Sequence, residues 1–233
     1  MALSQAQRKR IFLTVPAYNE GPVIRATLQP IVEAGYSLVV VDDGSTDDTW
    51  EQLAGLPLHR LRHPFNLGQG AALQTAMAYA LNRGAEYLVH FDADGQHSPE
   101  DIDDLLAPLI SGEADVVLGS RFLRQEDWLA VPRTRRLLLR GAVLVNGLLT
   151  GMWLSDAHNG ARALTRAAAE AIELWEDGFG HATEILLRIK QAGLRWVERP
   201  THIRYTDYSQ LKGQSASNAV NILIDLLIRR WLP

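Results

Sequence analysis

The sequence predicts an α/β protein in which a mostly parallel central sheet is flanked by helices, and three observations carry that prediction. Strand-like and helix-like stretches alternate through roughly the first 120 residues, the pattern of a βαβ layer. Leu38 to Val41 is an uninterrupted apolar run rich in valine, as expected of a strand buried on both faces. Polar side chains gather just past the strand ends, where an open α/β sheet holds its ligands.

Taken in order, Ile11 to Val15 reads as the first strand, ended by Pro16, and Ala17-Tyr18-Asn19-Glu20-Gly21 as a loop into a helix from about Pro22 to Ala34. Leu38 to Val41 runs into Asp42-Asp43-Gly44-Ser45-Thr46-Asp47, a turn whose last residues can cap the next helix. Leu58 to Arg62 is a third short strand, and Asn66-Leu67-Gly68-Gln69-Gly70 opens a helix through about Asn82. Tyr87 to Phe91 is the fourth strand, Ile102 to Ile110 is helical, and Asp115 to Gly119 is another buried strand. The second half is less regular. Arg133-Thr134-Arg135-Arg136 begins a basic segment, and Leu137 to Leu154, almost wholly apolar, is either a core helix or a helix lying in a membrane interface. Asp156 to Arg162 reads as a polar turn, Arg166 to Glu173 and Gly180 to Ala192 as helices, and Leu194 to Arg199 as a strand. Thr206 to Gln214 is a polar loop. Asn218, Asn221, Asp225 and Arg229 form one polar stripe on an otherwise apolar final helix.

The 233 residues suffice for a well-buried core, and 47% apolar with 21% charged residues marks a globular chain. A net charge of -4 argues against a nucleic-acid-binding surface spread over the molecule. The absence of cysteine excludes disulfides and thiolate metal sites, so any bound metal must take oxygen or imidazole ligands, and a hard cation such as Mg²⁺ or Mn²⁺ follows. Met1 to Arg10 lacks the apolar core and small-residue cleavage site of a secretory signal. No apolar run reaches the roughly 18 to 20 residues that span a bilayer. The expectation is a soluble or peripheral protein of the cytoplasm.

The chemistry concentrates in Tyr87 to His97. Asp92, Asp94 and Gln96 alternate there, and in an extended segment alternate side chains point the same way. Two carboxylates so placed repel each other, and a divalent cation would relieve the repulsion. Ser98-Pro99-Glu100-Asp101 is also a good helix start, for which the acidic turn serves as a cap. Both readings stand on these residues alone.

Five segments occur in one order and spacing: Val15-Pro16-Ala17-Tyr18-Asn19-Glu20, Val41-Asp42-Asp43-Gly44-Ser45-Thr46-Asp47, Asn66-x-Gly68-x-Gly70, Asp92-Ala93-Asp94-Gly95-Gln96-His97 and Gly119-Ser120-Arg121. Together they resemble the family 2 glycosyltransferases of the GT-A (nucleotide-diphospho-sugar transferase) fold, in particular the dolichol-phosphate mannosyltransferase-like and bacterial polyprenyl-phosphate glycosyltransferase branch. The resemblance is strong to Arg121 and looser beyond. It implies an inverting transfer of a single sugar from a UDP- or GDP-linked donor, assisted by Mg²⁺ or Mn²⁺. It also implies a single domain over 1–233, with a donor-binding half at about 8–122, an acceptor half at about 123–214 and a C-terminal amphipathic helix at about 215–232. At the matched positions, Pro16, Tyr18 and Glu20 would line the nucleoside pocket, and a carboxylate of Asp42 or Asp43 would accept a hydrogen bond from the base. Gln69, in a glycine-rich helix start, would contact the donor. Asp92, Asp94 and Gln96 would coordinate the metal bridging the two phosphates, and Arg121 would grip the same diphosphate. Arg204, Ser209 and Lys212 fall in a loop similar to the family's Gly-x-Ser-Lys region, with the order inverted in Lys212-Gly213-Gln214-Ser215.

On the acceptor side, Asp156-Ala157-His158-Asn159-Gly160-Ala161-Arg162 resembles the family's Asp-x-x-Ser-Gly-Phe-Arg, with Asn159 and Ala161 in place of Ser and Phe. Asp156 would act as a base or orient the acceptor or metal, so Asp94, Asp156 and Arg121 are the catalytic candidates. A phosphate nucleophile is already ionised at neutral pH, so a polyprenyl phosphate acceptor shifts the burden to cations. Arg133, Arg135, Arg136 and Arg140 stand beside the apolar segment for that role, or make an ordinary basic helix face. Glu184 would contact the acceptor or pair with Arg188 one turn on. The implied partners are a nucleotide-sugar donor, a polyprenyl phosphate and, through the final helix, a separate membrane protein or the interface itself, at the inner face of the plasma membrane. Nucleic acid is not among them. Two rivals remain open: the same donor chemistry with a saccharide or protein hydroxyl acceptor, which needs Asp156 as a true base, and a non-catalytic nucleotide-sugar-binding subunit.

Overall fold

The expected alternation is present in the computed structural model, which describes residues 3–123, 133–156, 159–178 and 180–204, with backbone alone for 133–140 and 142. A one-turn helix, α1 (Gln5–Arg8), closed by a capping box between Ser4 and Gln7, precedes β1 (Ile11–Ala17) in what reads from sequence as a plain basic lead-in. Then follow α2 (Gly21–Glu33), β2 (Ser37–Asp42), α3 (Thr49–Gln52), β3 (His59–Arg62), α4 (Gln69–Asn82), β4 (Tyr87–His90), α5 (Asp101–Ile110) and β5 (Val116–Ser120). The second half holds α6 (Arg133–Thr150), β6 (Arg162–Thr165), α7 (Arg166–Ala171), α8 (His181–Gln191) and β7 (Trp196–Pro200).

The strands form one sheet in the order β3-β2-β1-β4-β6-β5-β7. Among the described strands β6 alone runs against the others, antiparallel to β4 and β5, with Arg162 opposite both His90 and Leu118. The sequence reading of a turn ending at Arg162 misses this strand. Arg-Ala-Leu-Thr is four residues with one β-branched side chain, and its strand character comes from having a partner on each edge.

Alternate strand residues feed two cores. Leu13, Val15, Leu38 and Val40 join Ile24, Leu28 and Ile31 of α2 and Leu105 and Leu106 of α5. Phe12, Val39, Val41 and Leu88 join Ala72, Ala76 and Met77 of α4 and Ile185 and Ile189 of α8. Both faces are covered, which is why β2 carries no polar alternation.

Helix α6 inverts the usual polarity. Asn146 and Thr150 are buried, whereas Leu144 and Leu148, one turn apart, are 52% and 67% exposed, and Trp153 just beyond is 61% exposed. Among the described residues no helix is long and apolar enough to cross a membrane. The polar loop 206–214 with Ser209 and Lys212, and the final helix, lie outside the described residues.

Candidate active site

Because β1, β2, β4 and β5 run the same way, their carboxyl ends share one edge, and antiparallel β6 begins there. Pro16 is tolerated in a central strand because β1 pairs with β4 only from Ile11 to Thr14, so its missing N–H falls where that ladder has ended.

The β1–α2 and β2–α3 loops are stitched together. Asn19, at φ 54°, donates its N–H to Ser45 Oγ (2.9 Å) and accepts the Thr46 N–H at Oδ1 (2.8 Å). The Glu20 N–H donates to Thr49 Oγ1 (2.8 Å) and the Gly21 N–H to Asp47 Oδ2 (3.1 Å). Tyr18 is left on the surface beside this seam, with Glu20 buried. Asp42 and Asp43 are both buried. Asp42 accepts the Ser45 N–H (2.9 Å) and pairs with Arg62 (3.0 Å). Asp43 accepts the N–H groups of Leu67 (3.0 Å) and Gly68 (2.8 Å) and sits 2.7 Å from His63 Nδ1.

The glycines of Asn66-x-Gly68-x-Gly70 have a packing reason. A Cβ at Gly70 would come within 1.9 Å of the Glu176 carbonyl oxygen, and one at Gly68, where φ is 112°, within 2.2 Å of the Asp177 carbonyl oxygen. That Asp177 carbonyl accepts the N–H groups of Gly70 (2.7 Å) and Ala71 (3.2 Å), closing the start of α4. Gln69 turns elsewhere, donating from Nε2 to Asp92 Oδ1 (3.3 Å).

Past β4, Asp92 Oδ2 lies 2.8 Å from Nε2 of buried His97. Burial alone would push the His97 pKa down, but the bond to Asp92 and the charges of Asp92 and Asp94 more than offset it and raise it. The Asp92 carboxyl is held below its ordinary range by His97 against the opposing effect of burial. Asp94 accepts the Gln96 N–H (2.9 Å) and its side-chain amide (2.8 Å). Gly160 lies flat against Asp92, where a Cβ would come within 2.3 Å of Oδ2.

Beyond β5, Arg121 makes a two-armed ion pair with Asp156, Nε to Oδ2 at 2.7 Å and Nη2 to Oδ1 at 2.8 Å, and its backbone N–H also donates to Oδ2 (3.1 Å). Their side chains are 11% and 1% exposed. Asn159 is buried, donating to Thr201 Oγ1 (2.7 Å) and accepting the Ala161 N–H (3.0 Å), so it pins the turn into β6. Arg204 returns to the Asp92 loop, its N–H donating to the Gln96 carbonyl (2.8 Å) and its guanidinium reaching Ser98 (3.4 Å).

No group of three or more histidine or acidic side chains among the described residues is arranged to hold a metal. The donor set nonetheless fits a hard cation. Asp92 and Asp94 are partly exposed oxygen ligands, and Mg²⁺-type ions characteristically bind through one or two carboxylates with substrate phosphates completing the shell.

The model of Glycosyl transferase family 2 matches residues 13–172, well over half the chain. The chain belongs to glycosyl transferase family 2. The UDP-N-acetylglucosamine–dolichyl-phosphate N-acetylglucosaminyltransferase of Methanococcus voltae is 29% identical, over 94% of this chain and 96% of its own. The undecaprenyl-phosphate mannosyltransferase of Micrococcus luteus is 30% identical, over 95% and 96%. Among solved structures, the glucosyl-3-phosphoglycerate synthase of Mycobacterium tuberculosis, in complex with Mn²⁺, UDP-glucose and phosphoglyceric acid, superposes with a TM-score of 0.69 at 20% identity, over 97% of this chain and 82% of that one. That likeness establishes the GT-A fold. The protein is a glycosyltransferase, which sets aside the non-catalytic subunit.

In this glycosyltransferase the predicted residues Pro16, Tyr18, Glu20, Asp42, Asp43, Gln69, Asp92, Asp94, Gln96, Arg121, Asp156 and Arg204 lie on the loops of one sheet edge or in direct contact with them. Arg133, Arg135, Arg136 and Arg140 fall on the first turns of α6. Glu184 takes its structural alternative: it pairs with Arg188 (3.1 Å) and accepts the N–H groups of Trp175 (3.0 Å) and Glu176 (2.9 Å). Sequence reasoning places His97 and Arg162 only as the last residues of the Asp92–His97 and Asp156–Arg162 segments and gives neither a role of its own. The available signal was a histidine directly after the acidic motif and an arginine entering an apolar run.

Proposed function

We propose that this glycosyltransferase transfers one sugar, with inversion, from a UDP- or GDP-linked donor to a polyprenyl phosphate at the cytoplasmic membrane face. The observation that carries the reading is that the Asp92–His97 loop and the Arg121–Asp156 pair lie within electrostatic reach of each other, Arg121 acting on His97 and both Asp92 and Asp156 on Arg162, at the strand edge where β2 ends in Asp42. The names of two full-length relatives, both acting on lipid-linked phosphates, support the acceptor class.

In this reading Pro16, Tyr18 and Glu20 flank the nucleoside. Asp43, already accepting from Leu67, Gly68 and His63, keeps about one acceptor position for a base N–H. Asp92 and Asp94, with Gln96, would hold Mg²⁺ or Mn²⁺, which would supply positive charge to offset that developing on the departing diphosphate. His97 and Gln69 fix the Asp92 carboxylate in place. An ionised acceptor phosphate oxygen attacks the anomeric carbon as its bond to the diphosphate breaks, and no proton has to be removed. Asp156, whose two oxygens are taken by Arg121, serves to aim that guanidinium and not as a base. Arg204 and Lys212 are assigned to the donor in this reading, and Arg133, Arg135, Arg136 and Arg140, on the first turns of α6, to the acceptor phosphate. The exposed Leu144, Leu148 and Trp153 suit contact with lipid beside that basic start of α6.

Incubation with radiolabelled UDP- and GDP-sugars, Mn²⁺ and short polyprenyl phosphates should move label into the organic phase, and Asp94→Ala should abolish it. Absence of such label with every common donor sinks the lipid acceptor. Transfer to a hydroxyl acceptor that Asp156→Asn eliminates would replace it.

A further inference from the structure

Arg162 opens β6 at the site edge, and its side chain is almost wholly buried, 4% exposed. A guanidinium carries five N–H donors, yet among the described residues Arg162 makes no hydrogen bond and no ion pair. Its charged neighbours are Asp92 and Asp156, and both are committed elsewhere, Asp92 to His97 and Gln69, Asp156 to both arms of Arg121. The two imidazoles beside it, His90 and His181, are kept neutral chiefly by burial and further by Arg162 itself, so they offer no anion either. Burial lowers the Arg162 pKa to about 10, with Asp92 and Asp156 opposing, which leaves the group charged at neutral pH. No Arg162 nitrogen is among the fully buried atoms that lack a partner, so its donors, unused by the described protein, open toward solvent at the site edge, where a ligand can take them. Arg121, the cation that the sequence singles out, spends both arms on Asp156, whereas Arg162 has two carboxylates nearby and, among the described residues, a hydrogen bond to neither.

We propose that Arg162 receives a phosphate oxygen of the ligand, offering hydrogen-bond donors that the described protein leaves unused, beside Asp92 and Asp156 at the site edge. The planar fork of a guanidinium matches phosphate geometry in two-armed contact. Donor diphosphate and acceptor phosphate share this chemistry, and only the naming of those two sources rests on the function proposed above.

The test is calorimetric titration of the full-length wild type, Arg162→Met and Arg162→Lys with UDP and GDP in Mn²⁺, and separately with farnesyl phosphate, alongside melting curves without ligand. Arg162→Met should melt near the wild-type temperature, because no hydrogen bond within the described protein is lost, and should bind one probe about tenfold to a hundredfold more weakly. Arg162→Lys should recover part of that loss. Weakening confined to the nucleotides identifies the diphosphate, and weakening confined to farnesyl phosphate identifies the acceptor. Unchanged affinities overturn the inference whatever the melting temperature does, and so does a wild type that binds none of the three probes. If Arg162→Met melts low, Arg162→Lys decides: wild-type affinity in that variant rejects the role. Should the wild type fail to glycosylate any polyprenyl phosphate while Arg162→Met still loses nucleotide binding, the lipid-acceptor reading falls and this one stands.

Discussion

Separating the Arg121–Asp156 pair should show how far the candidate site depends on one buried ion pair. Arg121→Met leaves a carboxylate that is 1% exposed, and Asp156→Leu leaves a guanidinium that is 11% exposed. Removing one partner of a buried pair costs about 3–5 kcal/mol, since the survivor keeps its desolvation penalty. The two losses should be unequal. After Arg121→Met the charge of Asp156 still has Arg162 nearby, whereas after Asp156→Leu Arg162 keeps Asp92 alone of the two acidic neighbours it has among the described residues. Asp156→Leu should therefore be the more destabilising. The double variant removes both charges and should recover about 3 kcal/mol relative to the sum of the singles, the upper range for contacting residues. Urea unfolding followed by tryptophan fluorescence measures all four proteins, with constant m values as the check that compactness is unchanged. Singles costing under about 1 kcal/mol and adding without coupling would refute the reasoning, because that is how a water-screened surface pair behaves.

Three other outcomes follow from the same geometry. Burial, aided by Arg162, lowers the His181 pKa from 6.5 to about 4, so its contribution to stability is complete above pH 6.5 and is lost as pH falls through about 4, a change of roughly 3 kcal/mol. His181→Gln should flatten the acid limb of a stability-against-pH curve, and an unchanged limb would reject the assignment. Gly160→Ala should drive Asp92 off His97 and cut sugar transfer, assayed with Mn²⁺ in the buffer, by roughly tenfold to a hundredfold with the circular dichroism spectrum intact, and equal activity would show that the loop yields. Leu144→Asp with Leu148→Asp should abolish sedimentation with anionic phospholipid vesicles while leaving nucleotide binding alone, and persistent sedimentation would place the lipid contact elsewhere.

Much of the donor side is legible from residues because its signals are local. A valine run buried on both faces and acidic turns before helices each carry their geometry within a few positions, whereas Pro16, expected to end the first strand, lies inside β1, which runs on to Ala17. β6 is not legible, since four ordinary residues become a strand only by lying between β4 and β5. Helix α6 misleads for a related reason: its composition says apolar, but which face is inside depends on neighbours, and here Asn146 and Thr150 are inside. The site residues are recognisable as a set, while their partners are not. That Gln69 turns to Asp92, that His63 braces Asp43, and that Glu184 holds the N–H groups of Trp175 and Glu176 are facts of tertiary distance.

The Asp177 carbonyl seated on the first N–H groups of α4 joins stretches of chain more than a hundred positions apart with no clearance between them. The backbone at 176–177 therefore cannot lift without exposing the amides of Gly70 and Ala71 to water, one step from Gln69 and its hold on Asp92. Deuterium uptake at those two amides is consequently a direct gauge of whether that seam opens and closes during turnover, readable without labelling either substrate.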